Sequence, residues 1–152
     1  MLDCDLRKAT VAKSLNSDDA PGMADVLRGQ TAIAEAIRPT AYPNLFFVPA
    51  GHASEEEIGT LLHRPELGEV LAQLRRQYDH VLIDTPPVNV ASDTCMLGAA
   101  VSDALLVIRM NKTPREGVGR AIRLLRAANV KVNGLVLTHQ KYYIPKYLYR
   151  YS

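Results

Sequence analysis

Three aspartates occupy positions where carboxylates can do chemistry. Asp3 and Asp5 alternate in Leu2-Asp3-Cys4-Asp5-Leu6-Arg7-Lys8, and Asp84 ends the apolar run Val81-Leu82-Ile83 just before Thr85-Pro86-Pro87. Open parallel sheets bind their ligands beyond the carboxyl ends of the strands. A carboxylate there offers the hard oxygen donors that Mg²⁺ takes, directly or through water. Plainer roles compete with that one. Asp3 and Asp5 could be a solvated N-terminal stretch, and Asp84 could enter a loop and hydrogen-bond the following turn. The chain contains no Gly-Lys pair, hence no G-x-x-x-x-G-K-[ST] loop to cradle phosphates with its backbone amides.

The elements that must position these acids follow from hydrophobic pattern and capping. Short apolar runs alternate with amphipathic helical segments, the signature of an α/β fold with a mostly parallel sheet and helices on both faces. Strands are expected at Leu45–Val48, His80–Asp84, Ala104–Arg109 and Val132–Thr138. Their apolar cores lack polar alternation, as suits strands covered on both faces. Asn133-Gly134 is a possible hairpin turn, but only Leu-Val-Leu follows it, so one continuous strand is preferred. Ser54 with Glu57 and Thr113 with Glu116 read as capping boxes, the latter with Pro114 at the first helical position. Pro65 opens a helix whose Leu67, Val70, Leu71 and Leu74 share a face. Ser92 caps another helix through Val101, and Pro21-Gly22 and Gly29 bracket a short one.

At 152 residues, 47% hydrophobic and 22% charged, the chain is expected to be one soluble domain with a single core. It has no apolar run near the length of a membrane span and no leader-like start. Cys4 and Cys95 lack metal-ligand spacing and are too few for a disulfide framework, which points to a reducing cytoplasm. The scattered histidines read as surface or strand-edge residues. The net charge of +2 hides an asymmetry: residues 1–116 carry −5 and residues 117–152 carry +7. Tyr142, Tyr143, Tyr147, Tyr149 and Tyr151 lie in that basic end, interleaved with Lys141, Lys146 and Arg150. Such a segment can meet phosphate, anionic lipid, nucleic acid or an acidic surface.

Taken in order, the segments LDCDLRK (2–8), PGMADVLRG (21–29), NLFFVPAG (44–51), YDHVLIDTPP (78–87), Ser92-Asp93, LLVIRMNKTPRE (105–116), VNGLVL (132–137) and the tyrosine-rich end resemble one family. It is that of the bacterial tyrosine autokinases (BY-kinases) of capsular and exopolysaccharide export. The resemblance implies a P-loop NTPase-like fold of the MinD/ParA-like branch, N-terminally incomplete here because the phosphate-loop strand, loop and helix would precede Leu2. It implies a partial kinase domain over 1–140 and a flexible tail over 141–152. Asp3 would be the general base, Asp5 would hold Mg²⁺ and orient the γ-phosphate, and Asp84 would be the Walker B ligand of Mg²⁺. Arg7, with Lys8, would lie near the phosphates or a subunit contact, and Arg109 and Thr113 would approach the nucleotide base. The five tail tyrosines would be the phospho-acceptors.

The implied activity is ATP- and Mg²⁺-dependent tyrosine autophosphorylation regulating polysaccharide polymerisation and export. This chain alone is expected to be inactive without a phosphate loop. The implied setting is the inner face of the cell membrane, reached through a polysaccharide co-polymerase or a fused transmembrane segment, in a homo-oligomer that binds no nucleic acid. Two alternatives stand beside it. A MinD/ParA-like ATPase leaves the tyrosines unexplained, and a non-catalytic adaptor would use its tail only as a phospho-acceptor.

Overall fold

The computed structural model describes residues 1–140. The expected tail, with its five tyrosines, lies outside the described residues. Strand β1 (Leu2–Asp3) is the middle of the first sheet. It pairs in parallel with β4 (Ile83–Asp84), Leu2 opposite Ile83 and Asp3 opposite Asp84. On its other side Leu2 bridges in parallel to Val48, next to β3 (Phe46–Phe47). Asp3 N–H donates to the Val48 carbonyl at 3.0 Å and Cys4 N–H to the Asp84 carbonyl at 2.9 Å. Three chain segments therefore end side by side. Both expected strands are real but short, since regular pairing covers only two residues of each.

A short antiparallel pair joins β2 (Arg38–Pro39) to β3, which the sequence pattern does not foreshadow. Arg38 spends its guanidinium on the 17–21 loop, donating to Ser17 Oγ at 3.1 Å and to the Ala20 carbonyl at 2.6 Å. Helices α1 (Val11–Ser14), α2 (Met23–Leu27) and α3 (Ile33–Ala36) fill the stretch between β1 and β2. The bracket of Pro21-Gly22 and Gly29 thus holds a five-residue helix. A Cβ at Gly22 would lie 2.6 Å from the Pro49 carbonyl oxygen. Only glycine lets α2 approach the segment after β3 so closely.

Helix α4 (Glu55–Leu62) starts as its capping box requires: Ser54 Oγ accepts from Glu57 N–H at 3.3 Å, and Glu57 Oε2 accepts from Ser54 N–H at 3.0 Å. Helix α5 (Glu66–Gln77) begins after Pro65 and buries Leu67, Val70, Leu71 and Leu74 as its periodicity demands. These side chains join Leu2, Met23, Leu27, Val48, Ile58 and Leu97 in one core. Helix α6 (Asp93–Val101) follows β4, but its Ser92 makes no capping hydrogen bond through its side chain.

The second parallel pair is β5 (Asp103–Arg109) with β6 (Lys131–Thr138), joined by α7 (Arg115–Ala127). β6 is one continuous strand, and Asn133-Gly134 stays inside it opposite a register shift between Ala104 and Leu105. Asn133 Nδ2 donates to Asp103 Oδ1 at 2.8 Å. The Thr113–Glu116 capping box does not form. Pro114 is the N-cap, α7 starts at Arg115, and no side chain caps it. Thr113 N–H instead donates to the Arg109 carbonyl at 3.0 Å and closes the turn after β5. Among the described residues, coverage of both faces also fails in this sheet: Leu105, Val107, Leu135, Val136 and Leu137 are exposed.

Candidate active site at the ends of β1 and β4

The register that sets Asp3 opposite Asp84 brings the loops after β1 and β4 together, with Asp5 two residues beyond the first strand. Asp3 is wholly buried. Its Oδ1 accepts from Asp5 N–H at 3.1 Å and its Oδ2 from Val11 N–H at 3.3 Å, tying the strand end to the start of α1. Burial raises its pKa to about 6. The two backbone N–H donors oppose that rise, and the charges of Asp84 and Asp5 add to it.

Asp5 is half-buried and organises the next turn, its Oδ1 accepting from Arg7 N–H at 3.3 Å and Lys8 N–H at 3.0 Å. Asp84 is exposed. Its pKa is raised first by partial burial and then by the charge of Asp5, against a hydrogen bond from Thr85 N–H. The effect of the Asp5 charge on Asp84 marks two like charges held close, an arrangement that a divalent cation relieves. Two accessible oxygen donors beside an open groove fit Mg²⁺, which takes one or two carboxylates and completes its shell with water or phosphate.

Among the described residues no three histidine, cysteine, aspartate or glutamate side chains gather as a metal site, so the cluster is a pair of accessible acids with Asp3 behind them. A general base must come within hydrogen-bond reach of the proton it takes. Asp3 has no exposed surface, and backbone donors engage both its oxygens. In this geometry both Asp3 oxygens accept from backbone N–H groups and hold the loop.

Arg7 is tied to two acids on other elements. Its Nε donates to Asp93 Oδ2 at 2.9 Å and its Nη1 to Glu55 Oε2 at 3.3 Å. The Asp93 hydrogen bond and charge, with smaller help from Glu55 and Asp5, raise the pKa of Arg7. Arg7, Lys8, Glu55, Val90, Ala91 and Ser92 line an open groove, and the first two belong to the turn whose N–H groups donate to Asp5. Arg109 ends β5 and Thr113 closes the turn that follows it, and no hydrogen bond or ion pair among the described residues joins either to the acids. Sequence reasoning passed over Asp93 as a partner of Arg7. The Ser92-Asp93 dipeptide marks the position, but 86 residues separate the two side chains. An apolar hollow at the other end of the strands, around Met1, Phe46, Tyr78 and His80, is remote from the acids.

The profile of a family described as an AAA domain matches residues 1–136. Among curated proteins, EpsB of Ralstonia nicotianae is 34% identical over 90% of this chain and 18% of its own length. The tyrosine-protein kinase ptk of Acinetobacter johnsonii is 32% identical over 90% of this chain and 19% of its own length. The chain belongs to the AAA-domain family, in its bacterial tyrosine-kinase branch. It spans about a fifth of the length of these curated relatives. The kinase domain of VpsO superposes with a TM-score of 0.84 at 30% identity, over 92% of this chain and 69% of that one. A cobyrinic acid a,c-diamide synthase from Mycobacterium smegmatis, solved with an ATP analogue and magnesium, shares the fold at a TM-score of 0.72 and 20% identity, over 90% of this chain and 58% of that one. The P-loop NTPase-like α/β fold expected for this kinase-family chain is therefore the observed one. No described helix is long and apolar enough to cross a membrane.

Proposed function

We propose that these residues form the Mg²⁺-binding part of an ATP-dependent protein-tyrosine kinase whose own tail is its substrate. The observation that carries the reading is the pair Asp5 and Asp84 at the ends of adjacent parallel strands, close enough for one charge to raise the pKa of the other. Asp5 and Asp84 would hold Mg²⁺, which neutralises charge on transferring phosphate groups when bound. Asp3 keeps the Asp5 loop in place from behind, and the groove beside Lys8 and Ser92 leaves room for an approaching hydroxyl. Phosphoryl transfer asks mainly for positioning and charge neutralisation, which a rigid pair of strand ends supplies.

The tail tyrosines Tyr142, Tyr143, Tyr147, Tyr149 and Tyr151 are the proposed acceptors. Each phosphate adds about −1.5 to −2 charges at pH 7, so two or three reverse the sign of a tail that carries Lys141, Lys146 and Arg150. Graded phosphorylation would thereby loosen a homo-oligomer. Control of capsular or exopolysaccharide export through a membrane co-polymerase, and placement at the inner membrane face, belong to the same proposal.

The test replaces the five tail tyrosines by phenylalanine in the full protein carrying a G-x-x-x-x-G-K-[ST] segment. Loss of phosphotyrosine together with a larger oligomer supports the reading. Unchanged phosphotyrosine and oligomer size would overturn it. The 152 residues alone, without backbone amides and a lysine to cradle phosphates, are expected to show no micromolar saturation by Mg²⁺-ATP in a calorimetric titration. Saturation there would overturn the inactivity of this segment.

A further inference from the structure

Two side chains on the first turn of α6 reach different strand-end loops. Asp93, with its side chain 5% exposed, accepts from Arg7 Nε at 2.9 Å. Arg7 belongs to the turn whose backbone N–H groups, at Arg7 and Lys8, donate to the Asp5 carboxylate. The next residue, Thr94, donates from Oγ1 to the Pro86 carbonyl at 2.6 Å, two residues beyond Asp84. One turn of helix thus holds the loop of Asp5 through an arginine and the loop of Asp84 through a carbonyl.

We propose that Asp93 and Thr94 are positioning residues that set the separation of Asp5 and Asp84 for a divalent cation. The inference rests on the Asp5–Asp84 reading above and names residues outside it. β1 and β4 are each two residues long, so strand pairing alone holds little of the loops beyond Cys4 and Asp84. A buried carboxylate without its partner is costly. Asp93 therefore fixes Arg7, and the backbone of Arg7 orients Asp5. Thr94 removes the remaining freedom from the other loop. Groups that orient metal ligands from behind matter nearly as much as the ligands themselves.

The test uses the full protein with its phosphate-binding segment and Mn²⁺ as the spectroscopic probe. Mn²⁺ affinity in the presence of ADP is read by electron paramagnetic resonance, beside the Mg²⁺ dependence of autophosphorylation. Asp93→Asn and Thr94→Val are each expected to weaken Mn²⁺ binding about tenfold or more. Thr94→Ser, which keeps the hydroxyl, should restore it. Arg64→Ala, which breaks the surface pair with Glu66, should leave it unchanged. If Asp93→Asn does not fold, the isosteric Thr94→Val carries the test. Variants that lower the melting temperature but keep Mn²⁺ affinity within about twofold of the parent, well below the loss expected for such support, would overturn the inference and leave the Asp5–Asp84 reading standing. Absence of Mn²⁺ binding in the unaltered protein would overturn both.

Discussion

The two parallel pairs of this molecule are built from similar sequence and meet different fates. Around β1 and β4, side chains of α2, α4, α5 and α6 close over the strands, and Leu2, Met23, Leu27, Ile58 and Leu97 are fully buried. The β5–β6 pair is longer, yet it buries Ile108 while Leu105, Val107 and Leu137 stand about 60% exposed. Backbone pairing and burial are thus separable. A long ladder of hydrogen bonds can form while its apolar faces, within the described residues, remain open. The candidate acids sit on the packed pair, beside buried neighbours.

The sharpest way to break this comparison is to change one charged residue in each region. In the full protein Asp84→Asn should lower autophosphorylation about 100-fold or more, the scale of losing a preorganised group that stabilises transition-state charge. Arg109→Ala, at the end of β5, should cost less than about tenfold on the same scale. An Arg109 effect equal to that of Asp84 would place both pairs in one site. Packing is the second contrast. Urea unfolding of the 152-residue chain should show Leu27→Ala costing about 2–5 kcal/mol, as for other buried leucines. Leu137→Ala should cost within about 0.5 kcal/mol, as for surface positions. Equal costs would mean that the open face is covered in solution.

A pH series sharpens the contrast further. Asp3 has a folded pKa of about 6, above its ordinary value of 3.8, so the folded chain binds its proton more tightly than the unfolded chain does. Its contribution is most favourable below pH 4 and is lost as pH rises from about 4 through 6. Asp3→Asn should flatten the urea midpoint over that window, whereas a substitution in β5–β6 should not. The smallest effect is chemical. Burial, with the nearby charges of Asp3 and Asp84, pushes the Cys4 thiol up to about 12. Iodoacetamide should therefore modify the partly exposed Cys95 in the native chain and Cys4 only after unfolding.

Elements with local causes were legible in the sequence. Ser54 with Glu57, Pro65 before an i, i+3, i+4 leucine face, and the close of α2 at Gly29 are decided by residues a few positions apart, and all three appear as expected. The Thr113 box failed because the carbonyl of Arg109 accepts the Thr113 N–H and the turn closes on β5. Periodicity weighs a side chain against its helix, not against a competing backbone acceptor. The β2–β3 pairing escaped notice because Arg38 and Pro39 carry no strand signal and depend on Phe46 and Phe47 for their register.

The candidate site divides the same way. The sequence by itself marked Asp84 as a candidate cation ligand, because it ends an apolar run, and Asp5 through the family resemblance of the Asp3-Cys4-Asp5 motif. It determined the family as well, through motifs in a set order. Only the tertiary structure decided how the acids differ in exposure. Burial depends on what packs behind a residue, and it withdrew Asp3 from solvent while leaving Asp84 exposed. The pairing of Arg7 with Asp93 across 86 residues was decided there too, since such a contact exists only once β1 and α6 have been brought together.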